Sequence, residues 1–205
     1  MFWRGKLVHE SEWMRVYDSD RWGEVHESKF LTDRIQVSAE SIVNRWGGLS
    51  LAEKLEFANA FAAKREVTPE DERILDFLME VGDPPIWATV APMLPRHTNR
   101  ERVLAFLLRR LKDEGFSKAN FYQSLELLKD KTALPALRED YQRYDSRLRE
   151  HGKLQSESDY LEYLSCCKAL WVIDGSREYQ EVIERQTKSE HEKVRVWADM
   201  MLRNM

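Results

Sequence analysis

The chain has 205 residues, of which 42% are hydrophobic and 33% charged, with only 8 Gly and 6 Pro. That composition excludes disorder throughout and a bilayer-embedded fold, and it supplies enough apolar material for one buried core. The 32 Lys and Arg against 36 Asp and Glu leave a net charge of −4, which argues against a surface built for polyphosphate.

The longest apolar runs, such as residues 103–108, fall well short of the roughly 20 residues a membrane span needs, so no membrane association is expected. The start, Met-Phe-Trp-Arg-Gly-Lys-Leu-Val-His-Glu, lacks the basic, apolar and small-residue sequence of a secretory signal, and a cytoplasmic location is expected. The two cysteines, Cys166 and Cys167, are adjacent and cannot adopt ordinary disulfide geometry with each other. They read as small buried residues in a reducing compartment.

Residues 1–48 carry four of the seven tryptophans, Trp3, Trp13, Trp22 and Trp46, and show no sustained helical period before Ser38. They are expected to form an extension packed on the first helices, with a small hairpin around residues 6–17 as one option and a short helix from Ser38 to Trp46, closed by Gly47-Gly48. Residues 49–205 are expected to fold as one unit.

From Ser50 onward the punctuation is that of helix after helix. Ser50 caps a helix with Leu51, Leu55, Ala58 and Ala62 on one stripe. Thr68-Pro69-Glu70-Asp71 offers an N-cap, a proline at the first helical position and first-turn acids, for a helix ending near Val81. Gly82-Asp83-Pro84-Pro85 stops it and starts another, which Pro92 bends or shortens. Thr98 opens a helix apolar on more than one side, through Val103, Leu104, Phe106, Leu107, Leu108 and Leu111, which is expected to be the central one. Ser117 caps the next, carrying Phe121, Leu125 and Leu128.

A helix from about Thr132 points Leu134, Leu137, Tyr141, Tyr144 and Leu148 inward and sets Arg138, Glu139, Asp140, Arg143, Arg147 and Glu150 outward. Gly152 ends it, Ser156 opens a helix through Tyr160, Leu164, Cys167 and Leu170, and Asp174-Gly175-Ser176 turns into one with Tyr179, Val182 and Ile183. Ser189 begins the last, with Val194, Trp197, Ala198 and Met201, for about nine helices after Ser50.

Three helices end at an Asp turn, at Val81-Gly82-Asp83, Lys129-Asp130 and Asp174-Gly175, and a Val-Arg pair at Val194-Arg195 follows the last. The stretch from Lys168 to Ala198 resembles the HEAT (armadillo-type) repeat pattern, and the resemblance extends in degenerate form over roughly residues 69–205. It implies an all-α, right-handed α-α superhelix of about nine to ten antiparallel helices, and a non-enzymatic module that uses a solenoid surface to bind another protein or a peptide.

Chemistry-bearing motifs are sparse. The chain has no phosphate-cradling glycine loop, no H-E-x-x-H and no C-x-x-C, and neither cofactor nor metal is expected. His-Glu occurs at His9-Glu10, His26-Glu27 and His191-Glu192, a dipeptide that resembles the iron-ligand pairs of deoxyhypusine hydroxylase, but the register relative to the repeats does not match. The alternative function is a HEAT-like DNA-binding enzyme resembling the alkylpurine DNA glycosylases, in which Trp87, Trp171, Arg109 and Arg110 would be the aromatic and basic groups. Adjacent carboxylates such as Asp71/Glu72 and Glu139/Asp140 point in different directions on a helix and read as solvated. The remaining candidates are Tyr122, Tyr141, Tyr144, Tyr160 and Tyr163, which crowd into about 40 residues of chain. They suit either an aromatic partner-binding groove or interhelical packing with hydroxyls at the rim.

Overall fold

Ser38 and Ser50 each turn extended backbone into a helix by accepting a hydrogen bond from the N–H three residues on, at Ser41 and at Glu53. In the computed structural model, which describes residues 38–64 and 66–203, these caps open α1 (Ala39–Trp46) and α2 (Leu51–Ala62). The options for residues 6–17 and two of the His-Glu dipeptides lie outside the described residues. Among those described, ten α-helices and two short 3₁₀ turns make up the structure. They group into two compact units, one up to Arg96 and one from His97.

In the first unit, α1 packs on α3 (Pro69–Val81), while α2 and α3 both pack on α4 (Pro84–Val90). Thr68 caps α3 with a reciprocal bond to Asp71, as the Thr-Pro-Glu-Asp pattern predicts. Asp71 does more than that: it is 3% exposed and ion-pairs with Lys64 at 2.5 Å, so the expectation of a solvated carboxylate is corrected. Burial alone would push its carboxyl up, but the hydrogen bonds from Lys64 and Thr68 outweigh that and hold it below the usual value. Trp46 meets Phe57 and Phe77 edge to face, and Phe57 stacks on Phe61, which makes an aromatic core between the helices. Pro92 acts as its position predicts: α4 stops at Val90 and the chain tightens into a 3₁₀ turn over Ala91–Arg96.

The second unit holds α5 (Arg100–Arg110), α6 (Ala119–Leu128), α7 (Leu134–His151), α8 (Glu157–Asp174), α9 (Arg177–Gln186) and α10 (Glu192–Arg203). Three starts differ from the sequence expectation, the last helix beginning at Glu192 and not at Ser189. Asn99, not Thr98, caps α5, and Lys118, not Ser117, stands at the start of α6 without a side-chain cap. The central helix is also not α5, whose Leu104 and Leu108 are only half-buried beside Val103, Phe106 and Leu107. That place belongs to α8, which buries ten of its eighteen residues and packs on α6, α7, α9 and α10. Its apolar residues fall on every side, the pattern of a surrounded helix.

The three Asp turns are built differently. Gly82 is extended, with φ −70° and ψ 150°, whereas Lys129 and Gly175 are left-handed, at φ 54° and 78°. Asp130 accepts from the Thr132 N–H, while Asp174 is the last residue of α8 and pairs with Arg138 at 3.0 Å. Gly82 is required by closeness rather than by φ: a Cβ there would lie 2.5 Å from the Leu78 carbonyl and 2.7 Å from Trp87 Nε1.

Candidate functional site

The five tyrosines singled out by the sequence all lie in α6, α7 and α8, and the structure buries every one of them. Their exposures are 0% for Tyr122, 9% for Tyr141, 3% for Tyr144, 6% for Tyr160 and 1% for Tyr163. Three of these rings are in contact or near it, and Tyr179 joins them from α9. Tyr141 stacks on Tyr163 at 5.8 Å, Tyr163 tilts against Tyr144 at 6.1 Å, and Tyr179 of α9 meets Tyr141 edge-on at 5.1 Å.

Their hydroxyls end inside the helix stack. Tyr122 donates to Asp140 at 2.7 Å, Tyr144 to Glu162 at 2.5 Å and Tyr163 to Asp145 at 3.2 Å, each pair 18 residues apart in the chain. Tyr160 accepts instead, from the Leu154 N–H at 3.3 Å. The three carboxylate pairs run from α6 to α7, from α7 to α8 and from α8 back to α7, so the middle helix is tied on both sides. A hydrogen bond to a charged acceptor in a dry site contributes roughly 1.5–3 kcal/mol, more than a neutral one.

Asp140 corrects the expected outer face of α7: it is 5% exposed, and besides Tyr122 it takes the Arg143 guanidinium at 2.5 Å. Arg143 also lies over the Tyr144 ring, 5.3 Å from its centre, so a half-exposed cation closes the network toward water. Lys118, 6% exposed, enters from the start of α6; its ammonium donates to the Leu111 carbonyl and its backbone N–H to Glu162. Burial lowers the Lys118 ammonium below its usual value, and burial raises the Glu162 carboxyl above its own despite the donors aimed at it. Burial likewise pushes the Tyr141 hydroxyl up to about 12 and those of Tyr122, Tyr144 and Tyr163 higher still.

Cys166 and Cys167 lie against this network, both fully buried, and the Cys166 thiol donates to the Leu137 carbonyl at 3.3 Å. Burial pushes both thiols well above the ordinary range, which disfavours the thiolate that redox or metal chemistry requires. Among the described residues no group of three or more His, Cys, Asp or Glu is placed to hold a metal ion. No helix among them is long and apolar enough to cross a membrane.

The residues cast in the glycosylase-like roles are spread over different tasks. Trp87 is 7% exposed and donates its indole N–H to the Leu78 carbonyl at 3.0 Å, while Arg110 pairs with Asp113 at 2.9 Å. Arg109 is exposed and Trp171 half-buried on α8. Sequence reasoning missed Lys118, Asp140 and Glu162 as site residues. The signal that finds Glu162 is its helix: with apolar residues on all sides of α8, a polar residue in its middle has no solvent face to occupy. In comparisons with known protein-family models, curated proteins and solved structures, the chain matches none.

Proposed function

We propose that the chain is a non-enzymatic interaction module, a short HEAT-like stack of helices that binds another protein or a peptide on its outer helix faces. The observation that supports this reading is the order of packing. In the second unit α5 lies on α6, α6 on α8, α7 on α8, α8 on α9 and α10, and α9 on α10, so the principal partners are one or two helices apart in the chain. A repeat stack is built from such near-neighbour contacts, and its usual product is an extended surface rather than a reaction pocket. The shifted titratable groups of α6 to α8 point the same way, because they are enclosed by one another instead of lining an open cleft.

The test is crosslinking of the full chain in its native cell, followed by reconstitution with the purified candidate partner. Saturable binding that weakens when exposed charges on α7 and α9 are reversed, for example Arg147→Glu or Glu181→Lys, is the expected result. The glycosylase-like alternative is separated by a salt series with duplex DNA and by an excision assay on a methylated base. Steeply salt-dependent DNA binding together with base release would replace the present reading.

A further inference from the structure

Much of the charge around α7 and α8 is paired at the edge of the stack. Arg138 meets Asp174, Arg149 meets Asp145, Lys168 meets Glu126 on α6, and Lys193 on α10 meets Glu157. Glu162 is placed differently. It is 9% exposed, and the groups that reach its carboxyl are the Tyr144 hydroxyl from α7 and the Lys118 N–H at the start of α6. The Lys118 ammonium is near but turned to the Leu111 carbonyl, and Asp159, one turn back on α8, adds a like charge. Of the α9 and α10 charges facing α8, Arg185 and Glu178 act at Cys167 and Lys193 at Glu157.

We propose that Glu162 is a protonation switch: its neutral carboxyl lets α8 close on α7 and the start of α6, and its ionisation loosens that seam. The geometry gives the neutral form a partner: a proton taken from water onto Glu162 is held between its carboxyl and the Tyr144 oxygen, which lie 2.5 Å apart. Tyr122 meanwhile keeps its bond to Asp140, whose charge Arg143 offsets at the solvent edge. When the proton returns to water, Tyr144 donates to Glu162 instead, and two carboxylates share the same buried seam. One of them then lies where water cannot solvate it, the costly case for a buried charge.

The sign follows from burial, which raises the Glu162 carboxyl above its ordinary 4.5. Between that value and its own, the closed protein holds one more proton than the opened one. The seam is therefore fully closed below the ordinary value and loosens as the pH rises through the raised one, by up to about tenfold in the opening constant per pH unit, with a plateau above.

Hydrogen exchange on the full chain tests this, read at the α8 amides over a pH series and corrected for intrinsic exchange with the unfolded chain. The wild type is expected to lose protection across the window while Glu162→Gln stays flat; equal slopes in the two proteins overturn the proposal. Tyr144→Phe keeps the ring but removes the oxygen that accepts from the neutral carboxyl as well as the donor to the ionised one; the charge-assisted bond is the stronger of the two, so the wild-type transition is expected to move to higher pH. A midpoint that stays or falls overturns the switch, and this arm decides the matter even where Glu162→Gln does not fold.

Discussion

Substituting Tyr122 by Phe isolates one bond of the network. The ring is 0% exposed and fits as before, so what is lost is the hydroxyl 2.7 Å from Asp140. Asp140, 5% exposed, is then one donor short where water does not replace it, and Arg143 alone holds it. Taking roughly 1.5–3 kcal/mol for a hydrogen bond to a charged group, the loss is about 2 kcal/mol, or about thirtyfold in the ratio of folded to unfolded chain. Tyr163→Phe removes the same atom from a longer contact, 3.2 Å, to Asp145, whose side chain keeps 17% exposure and a second partner in Arg149. Its loss is expected to stay below about 1 kcal/mol. Urea unfolding measures both through the shift in midpoint at constant slope, and the cycle with Asp140→Asn isolates the Tyr122 coupling. Equal losses for the two tyrosines, or a neutral Tyr122→Phe, would refute the reasoning that burial and distance set the strength of these ties.

Gly82→Ala forces a methyl group against the Leu78 carbonyl and the Trp87 indole, and is expected to cost about 1–3 kcal/mol and to change the near-UV signal of Trp87. Asp71 holds its carboxyl below the usual 3.8, so its contribution is present above that value and disappears as the pH falls through its own; Asp71→Asn is expected to flatten that acid limb in a pH series of thermal unfolding. Ser156→Ala removes the reciprocal cap with Asp159 at the start of α8 and is expected to cost about 1 kcal/mol, read from the urea midpoint. Cys166 and Cys167 are expected to resist a thiol reagent until denaturant is added, and prompt labelling of the native chain would contradict their burial.

The helix boundaries were legible where a residue does one local job. Ser38, Ser50, Thr68 and Ser156 accept the bonds their position in the sequence implies, and Gly152 and Gly175 take the left-handed turns. The failures at Thr98 and Ser117 are shifts of one residue, since neighbouring polar residues can each offer a cap and tertiary packing selects among them. The buried carboxylates were not legible, because periodicity assigns an acid to the wet side of a helix. Asp140 and Glu162 break that rule by finding Tyr122 and Tyr144 on neighbouring helices, which a pattern within one helix cannot register. The central place of α8 was written in its sequence, in apolar residues on every side, but the long apolar stripe of α5 competed for the same reading.

The position of α8 also has a meaning in time. As the chain leaves the ribosome, α6 and α7 emerge first, with Asp140 and Tyr144 already placed on α7, but the helix that covers them is still unmade. Because the three tyrosine ties each span 18 residues, every one of them closes within two helices of synthesis, and none waits for a distant part of the chain. Until residue 174 is free, however, the apolar sides of α6 and α7 stand open to any chaperone or neighbouring nascent chain. A ribosome pause shortly before that point would hold the protein with α6 and α7 uncovered, and one shortly after it would still leave the sides of α8 that face α9 and α10 open.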